Sequence, residues 1–207
     1  MTAPSYIGIG DIHGLDDRID ILLKRLPAEG TLVFLGDYID RGPSSNAVIE
    51  RLMRLEQQRP CIFLRGNHEA MALDALANGG DARKTWLRNG GEEALRSYPA
   101  GIPAEHRAFM ERTLPYFCTD QYIFVHAGLL PEQQPEVTEP QDILWWVREP
   151  FLKSDYDWGR LVIHGHTPTF SDRPEIRPNR INLDTGAVYG GPLTALILPE
   201  MRYVTMK

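Results

Sequence analysis

The chain has few cysteines, no block of like charge and no long apolar run. Its two cysteines, Cys61 and Cys118, lie far apart in apolar surroundings. That pattern argues against a disulfide framework and a thiolate zinc site, and it indicates a reducing compartment. No apolar run approaches the roughly 20 residues that span a bilayer, and the N-terminus lacks the basic and apolar regions of a signal peptide. We therefore expect a cytoplasmic protein that does not bind membranes.

The charge balance argues against nonspecific binding to polyanions. The 22 Lys and Arg against 28 Asp and Glu give a formal charge of −6, and neither Lys nor Arg forms a block. Nonspecific capture of nucleic acid depends on many cations close together, so no nucleic-acid partner is expected and any phosphate recognition is local. A length of 207 residues predicts a single domain over 1–207, with no obligate partner evident.

Short apolar runs, each followed by a polar loop, predict buried strands at five places. These runs cover residues 6–10, 32–35, 61–64, 122–125 and 161–163. Apolar residues at helical spacing, centred on Leu22 and Leu52, separate the first three runs. The order strand, helix, strand, helix, strand predicts right-handed crossovers and a parallel α/β sheet whose strands end at one edge.

The rest of the chain follows different patterns. Residues 71–115 are predicted to be mostly helical. Near the C-terminus, three strand-like runs follow one another with only turns between them, which predicts a β meander. These runs are residues 180–183, 193–198 and 202–206.

Histidines are concentrated after the predicted strands. Five of the six histidines lie at or just after strand ends, where ligands of such sheets bind. They are His13, His68, His126, His164 and His166. Asp11, Asp37, Asp40 and Asn67 stand in the same loops, so imidazole and oxygen donors from five segments can converge. This donor set indicates a metal site without thiolate.

Three of these loops have the residue types that such a site needs. Asp11 and His13 leave an extended strand two residues apart, so both side chains point to one side and can chelate one ion. Asp37 offers two oxygens that can bridge two cations, and the amide oxygen of Asn67 is a neutral hard ligand. His68 is left beside them and can act as an acid. Each loop alone is also compatible with a glycine turn or a helix N-cap.

In their order along the chain, the motifs resemble the phosphoprotein phosphatase family of metallophosphoesterases. They are GDIHG at 10–14, GDYIDRG at 36–42, GNHE at 66–69, HAG at 126–128 and GH at 165–166. Pro168 stands where the broader superfamily often has a second histidine, which agrees with this branch. The resemblance implies an αββα sandwich, in which two mixed β-sheets face each other between helices.

The resemblance also implies a set of metal ligands and two bound divalent cations. Asp11 and His13 would hold one metal ion, Asp37 would bridge, and Asn67, His126 and His166 would hold the other. Mn²⁺ is the usual activator of the family, and Fe and Zn²⁺ suit the same donors. His164 would then be structural, and His106, outside every motif, is predicted to lie on the surface.

Catalytic and phosphate-binding residues follow from the same resemblance. Family members hydrolyse phosphate monoesters by direct attack of water activated between the two metal ions. His68 would protonate the leaving group, with Asp40 orienting its ring. Arg41 and Asn67 would bind the phosphate, as would Arg148, in a segment that resembles the arginine segment of the family.

We expect a small serine/threonine or dual-specificity protein phosphatase acting on a phosphorylated protein or a small phosphoester. The alternative is a diadenosine tetraphosphate hydrolase, whose relatives usually lose the second aspartate of the GDxxDRG motif. Asp40 is present here, which favours monoesters. A second alternative is a noncatalytic metal-binding domain, which is expected to lack ligands, whereas here all are present.

Overall fold

Two mixed β-sheets of five strands each form the centre of the protein. The structure is a computed structural model that describes residues 5–139 and 141–207, so residues 1–4 of the predicted 1–207 domain and residue 140 lie outside it. The strands are β1 (Tyr6–Ile9), β2 (Thr31–Phe34), β3 (Cys61–Phe63), β4 (Tyr116–Cys118), β5 (Tyr122–Val125), β6 (Leu161–His164), β7 (Glu175–Ile176), β8 (Arg180–Asn182), β9 (Leu193–Leu198) and β10 (Arg202–Met206). The helices are α1 (Asp16–Arg25), α2 (Ser45–Leu55), α3 (Asn67–Asn78), α4 (Gly80–Trp86), α5 (Glu92–Ser97), α6 (Ala104–Glu111) and α7 (Ile143–Trp146).

The first sheet has the strand order β10-β9-β1-β2-β3. Strands β1, β2 and β3 are parallel, and α1 and α2 form the crossovers between them. The predicted parallel arrangement of the first third of the chain is therefore confirmed. On the other side of β1, strands β9 and β10 are antiparallel.

The second sheet has the order β4-β5-β6-β8-β7. Its three central strands, β5, β6 and β8, are parallel, and the edge strands β4 and β7 are antiparallel to their neighbours. The two edge strands, of three and two residues, are too short for their alternation to be recognised in the sequence.

The two sheets face each other with helices outside. Alternate side chains of a strand point to opposite faces, and Val33 of β2 belongs to the same core cluster as Phe124 and Ile163 of the second sheet. Its neighbour Phe34 points the other way, into the core beneath the helices, with Leu22 of α1 and others. This layering confirms the αββα sandwich.

Both crossover helices bury the predicted apolar face. Leu22 and Leu52 are fully buried, and burial of one such side chain stabilises the fold by about 1.5–3 kcal/mol. In the part of the chain that the structure covers, no helix combines the length and the apolar character needed to cross a membrane.

The predicted β meander near the C-terminus is wrong. Strand β8 lies in the second sheet, whereas β9 and β10 form a hairpin in the first. Every residue of β9 is buried. Leu193, Ala195 and Ile197 belong to the core beneath the helices and Leu196 and Leu198 to the core between the sheets, so β9 needs an inner place in a covered sheet and takes it beside β1. The connection from β8 turns through Gly186 and Gly190, whose φ angles of 71° and 93° are left-handed.

The prediction that His106 lies on the surface is also wrong. Helices α3 to α6 confirm the predicted helical stretch, but His106 in α6 is only 3% exposed. It shares a helix face with Phe109 and Met110, which are buried. Its Nδ1 lies 2.9 Å from the hydroxyl of Tyr98, so one polar atom of the buried ring has a partner.

Candidate metal centre

The candidate site lies where the loops of both sheets meet. Asp11, Asp37 and Asn67 follow β1, β2 and β3 of the first sheet, and His126 and His166 follow β5 and β6 of the second. The parallel strands of each sheet end at one edge. The two edges adjoin, since a carboxylate oxygen of Asp37 lies 3.4 Å from Nε2 of His126.

Two motif glycines allow the loops to approach this closely. A Cβ at Gly66 would collide with the carboxylate of Asp37, and a Cβ at Gly165 would collide with the carboxylate of Asp11. The GNHE and GH motifs therefore need glycine at these positions, because any side chain there would overlap the neighbouring aspartate.

Left-handed backbone conformations are concentrated at the site. The non-glycine residues with positive φ include five site residues: His13 (46°), Asp37 (52°), Asp40 (71°), Arg41 (65°) and His166 (68°). Each such conformation costs about 1–3 kcal/mol and persists only where the surrounding structure fixes it. The fold therefore holds these side chains in position at a cost in stability.

A first group of donors consists of His13, Asp37 and His68, whose ligand atoms all lie within 4.8 Å of one another. Nδ1 of His13 lies 2.8 Å from the carbonyl of Ile39, so it carries the proton and donates. Nε2 therefore bears the lone pair. It lies 3.4 Å from Asp37 and accepts a hydrogen bond of 2.7 Å from the cationic guanidinium of Arg41.

A second group consists of Asp37, His126 and His166. Nδ1 of His126 donates to the carbonyl of Leu35 at 2.8 Å, which leaves the lone pair on Nε2. Nε2 lies 3.0 Å from the amide oxygen of Asn67 and 3.4 Å from a carboxylate oxygen of Asp37. Three acceptors face one another there, and they repel unless a cation lies among them. The residues present therefore fit a divalent metal centre.

The electrostatics of the site agree with that fit. Burial lowers the pKa of His13 to about 3, and burial together with His126 lowers that of His166 to about 2, so both rings are neutral at pH 7. Burial would raise the pKa of Asp37, but the surrounding histidines outweigh it and hold that pKa well below its usual range. An ionised carboxylate and neutral imidazoles are the protonation states that bind metals.

Asp11 and Arg148 are predicted site residues that lie outside both donor groups. Asp11 belongs to neither group and accepts the backbone N–H of His166, with oxygen distances of 3.1 and 3.3 Å. Burial, Asp184 and Asp37 raise its pKa well above the usual value, as expected where carboxylates are crowded without a cation. Arg148 is exposed, and its charge contributes to lowering the pKa of His166.

His68 has the contacts of a proton donor held in one orientation. Its ring is fully buried. Nδ1 lies 2.7 Å from a carboxylate oxygen of Asp40. Nε2 is buried, has no hydrogen-bond partner among the described residues and lies 3.9 Å from Asp37. Burial alone would lower the pKa of His68, but Asp37 and Asp40 outweigh it and raise that pKa.

Three residues of the site were not predicted from the sequence. The carboxylate of Glu69 accepts the backbone N–H groups of Asp37, Tyr38 and Gly66 at 2.8–3.0 Å, which fixes the loop after β2. The indole N–H of Trp86 donates to both carboxylate oxygens of Asp40 at 3.0 and 2.9 Å. Asp184 is buried beside Asp11. Only Glu69 had a sequence signal, its place in the GNHE motif.

Other candidate groups lie outside the site. His164 is fully buried, and its ring packs edge-on against Phe151 at 4.9 Å. It belongs to neither donor group. The free cysteines Cys61 and Cys118 are half-buried, and burial raises the pKa of each thiol to about 11, so neither is a thiolate at pH 7.

Removing the indole N–H tests whether Trp86 supports Asp40. We expect Trp86→Phe to lower kcat about 10- to 150-fold, since a hydrogen bond to a charged group contributes about 1.5–3 kcal/mol. Trp158→Phe is the matched control, because it removes an indole N–H that donates to the carbonyl of Leu130 at 3.2 Å, away from the site. Steady-state kinetics and thermal melting of both variants give the comparison. Equal losses of kcat would contradict a role through Asp40.

Comparisons with known proteins place these features in one family. The model of the calcineurin-like phosphoesterases matches residues 5–191. The chain is 28% identical to bis(5'-nucleosyl)-tetraphosphatase PrpE (asymmetrical) of Anoxybacillus flavithermus over 240 aligned positions, which cover 97% of this chain and 93% of the relative. It is 32% identical to serine/threonine-protein phosphatase 1 of Salmonella typhimurium, with 90% and 88% covered.

A solved structure agrees with the fold. The crystal structure of a protein provisionally named a diadenosine tetraphosphatase superposes with a TM-score of 0.76 at 21% identity, covering 99% of this chain and 93% of the other.

Proposed function

We propose, because the chain belongs to the calcineurin-like phosphoesterases, that it is a metal-dependent phosphohydrolase whose preferred substrates are dinucleoside polyphosphates. The observation that carries the chemistry is the pair of donor groups that share Asp37, with His68 of the first group held at Nδ1 by Asp40. The observation that supports the substrate class is similarity to PrpE over 97% of this chain.

Two divalent cations would be held by the ligands that the motifs assign. Asp11 and His13 would hold one ion, Asp37 would be shared, and Asn67, His126 and His166 would hold the other. Oxygen and imidazole donors without thiolate favour Mn²⁺, with Fe and Zn²⁺ as the other suitable metals. When bound, such ions supply positive charge that polarises a phosphoryl oxygen and lowers the pKa of a neighbouring water.

The chain itself binds the phosphate and moves a proton. The guanidinium of Arg41 contacts His13, and the charge of Arg148 acts on His166; both would pair with phosphoryl oxygens. Asn67 adds an amide donor. His68 gives the proton on Nε2 to the leaving oxygen, while Asp40 holds Nδ1–H and stabilises the protonated ring.

Hydrolysis of protein phosphoserine or phosphothreonine is the second candidate. It is favoured by the His68–Asp40 pair, since an alkoxide leaving group needs a proton in the transition state and a nucleotide phosphate needs it much less. The similarity to serine/threonine-protein phosphatase 1 of S. typhimurium also supports it. The noncatalytic alternative has no support of this kind, because the ligand set and His68 are complete.

A comparison of substrates tests the proposal. With Mn²⁺ present, we expect kcat/KM for diadenosine tetraphosphate to exceed that for a phosphothreonine peptide by at least about 10-fold, a difference of about 1.4 kcal/mol. Chromatography of the products should give ATP and AMP. The reverse order of kcat/KM would favour the protein phosphatase, and no Mn²⁺-dependent hydrolysis of these substrates or p-nitrophenyl phosphate would favour the noncatalytic domain.

A further inference from the structure

Two exposed aromatic side chains, Tyr189 and Phe170, lie beside the candidate metal centre and have no function in the chemistry described above. Tyr189 is 55% exposed and Phe170 is 78% exposed. Their ring centroids are 6.0 Å apart, with 46° between the planes. The guanidinium of Arg41, which contacts His13, lies 5.6 Å from the centroid of the Tyr189 ring. One side chain therefore separates the aromatic pair from the metal-binding donors.

The turn that carries Tyr189 is held firmly. Arg18 of α1 donates from one nitrogen to the carbonyls of Ala187 and Gly191, at 2.7 and 2.6 Å. At the start of the turn, the backbone N–H of Gly186 donates to the carboxylate of Asp184 at 3.0 Å. The exposed ring of Tyr189 is thus attached to a rigid part of the fold.

Phe170 is held out of the core in an unusual conformation. Its φ of 49° is left-handed, which is an outlier for a bulky residue. The preceding residue, Thr169, donates its backbone N–H to the carbonyl of Asp184 at 3.0 Å. Asp184 follows β8 and also accepts a hydrogen bond from the turn that carries Tyr189, so both aromatic residues are held by the same segment. Burying a phenylalanine would stabilise the fold, so its exposure and its strained backbone point to a use outside the core.

We propose that Tyr189 and Phe170 form a stacking site for the nucleobase of a nucleoside polyphosphate whose phosphates lie on Arg41 and the metal-binding residues. This proposal rests on the proposed function. The occupant follows from the chemistry, because two aromatic faces next to a guanidinium suit a flat π-system joined to an anion. The phosphorylated side chain of a serine or threonine has no flat group to stack, so the pair adds nothing to its binding.

Binding of AMP and ribose 5-phosphate tests the site, since the two probes differ only in the base. With Mn²⁺-loaded protein in a calorimeter, we expect AMP to bind about 5- to 150-fold more tightly. Tyr189→Ala and Phe170→Ala should each reduce this ratio, and Tyr189→Trp should restore it. Tyr203→Ala is the matched control, because Tyr203 is 37% exposed on the edge strand β10. Equal affinity of the unmodified protein for the two probes would overturn the proposal.

Kinetics separate this proposal from the proposed function. Tyr189→Ala should raise KM for diadenosine tetraphosphate by a similar factor with little change in kcat, while the inhibition constant of inorganic tripolyphosphate, which has no base, stays the same. A Tyr189→Ala protein with unchanged KM for the dinucleotide would overturn the stacking site and leave the proposed function intact. Base-dependent AMP binding without dinucleotide hydrolysis would overturn the proposed function and support the stacking site. Loss of phosphopeptide affinity in Tyr189→Ala would assign the pair to a peptide surface instead and overturn the proposal.

Discussion

Replacing His68 by asparagine is expected to lower kcat for alkyl phosphates by about 10²–10⁴-fold, the usual contribution of general acid catalysis. The loss for p-nitrophenyl phosphate should be far smaller, because its leaving group needs no proton. Metal content should stay near that of the unmodified protein, since asparagine removes only the ring whose Nε2 has no partner. Kinetics with both substrate types and elemental analysis of the Mn²⁺-loaded variant check these expectations.

The metal measurement decides between two functions of His68 that the geometry allows. His68 belongs to the first donor group together with His13 and Asp37, so a ligand function is compatible with the distances. A His68→Asn protein that loses one metal equivalent, with equal losses for both substrate types, would show that His68 is a ligand. His106→Asn is the matched control, because it changes a buried histidine that lies outside the site.

Replacing Asp37 by asparagine is expected to have the largest effect on metal binding. Asp37 is the only residue that the two donor groups have in common, so its loss affects both ions. Mn²⁺ content should fall from about two equivalents to one or fewer, and kcat should fall by about 10³-fold or more, because several kcal/mol of charge stabilisation is lost. Elemental analysis and kinetics check both values.

Asp184→Asn is the matched control for that experiment. Asp184 is also buried near the site, and burial raises its pKa to about 7, so asparagine resembles the neutral form already populated at that pH. The variant should keep about two metal equivalents. If instead Asp37→Asn kept both ions, Asp37 would not be the shared ligand.

The parts of the fold that local patterns specify could be predicted. The crossover strands of the first sheet have apolar runs followed by polar loops, and the helices between them have one apolar face, so the parallel arrangement followed from the order of elements. Sheet membership near the C-terminus could not be predicted, because the pattern of β8 resembles that of β9. What separates them is the pairing of β9 with β1, which lies far away in sequence, and of β8 with β6 in the other sheet. That two sheets exist followed from family resemblance alone.

The motif residues of the site were recognisable because their chemistry recurs after each strand. The loops after β1, β2 and β3 bring donors together as expected. Trp86 could not be found in this way, since a tryptophan in a helical stretch is usually core packing, and only the folded chain brings its N–H to Asp40. The exposed pair Tyr189 and Phe170 was missed for a similar reason, because exposure is a property of the fold and not of the residue type.

The position of β1 has a consequence for synthesis of the chain. Among the described strands β1 comes first in the chain. One of its two neighbours, β9, comes after all of them except β10, and Tyr6 of β1 pairs with Leu198 of β9. Contacts between such distant segments form slowly. The strands β1, β2 and β3 can pair as soon as they leave the ribosome, but until β9 follows, β1 has an open edge of unpaired backbone groups. Nascent chains in which β9 has not yet been made therefore have the kind of edge that aggregates or that chaperones bind.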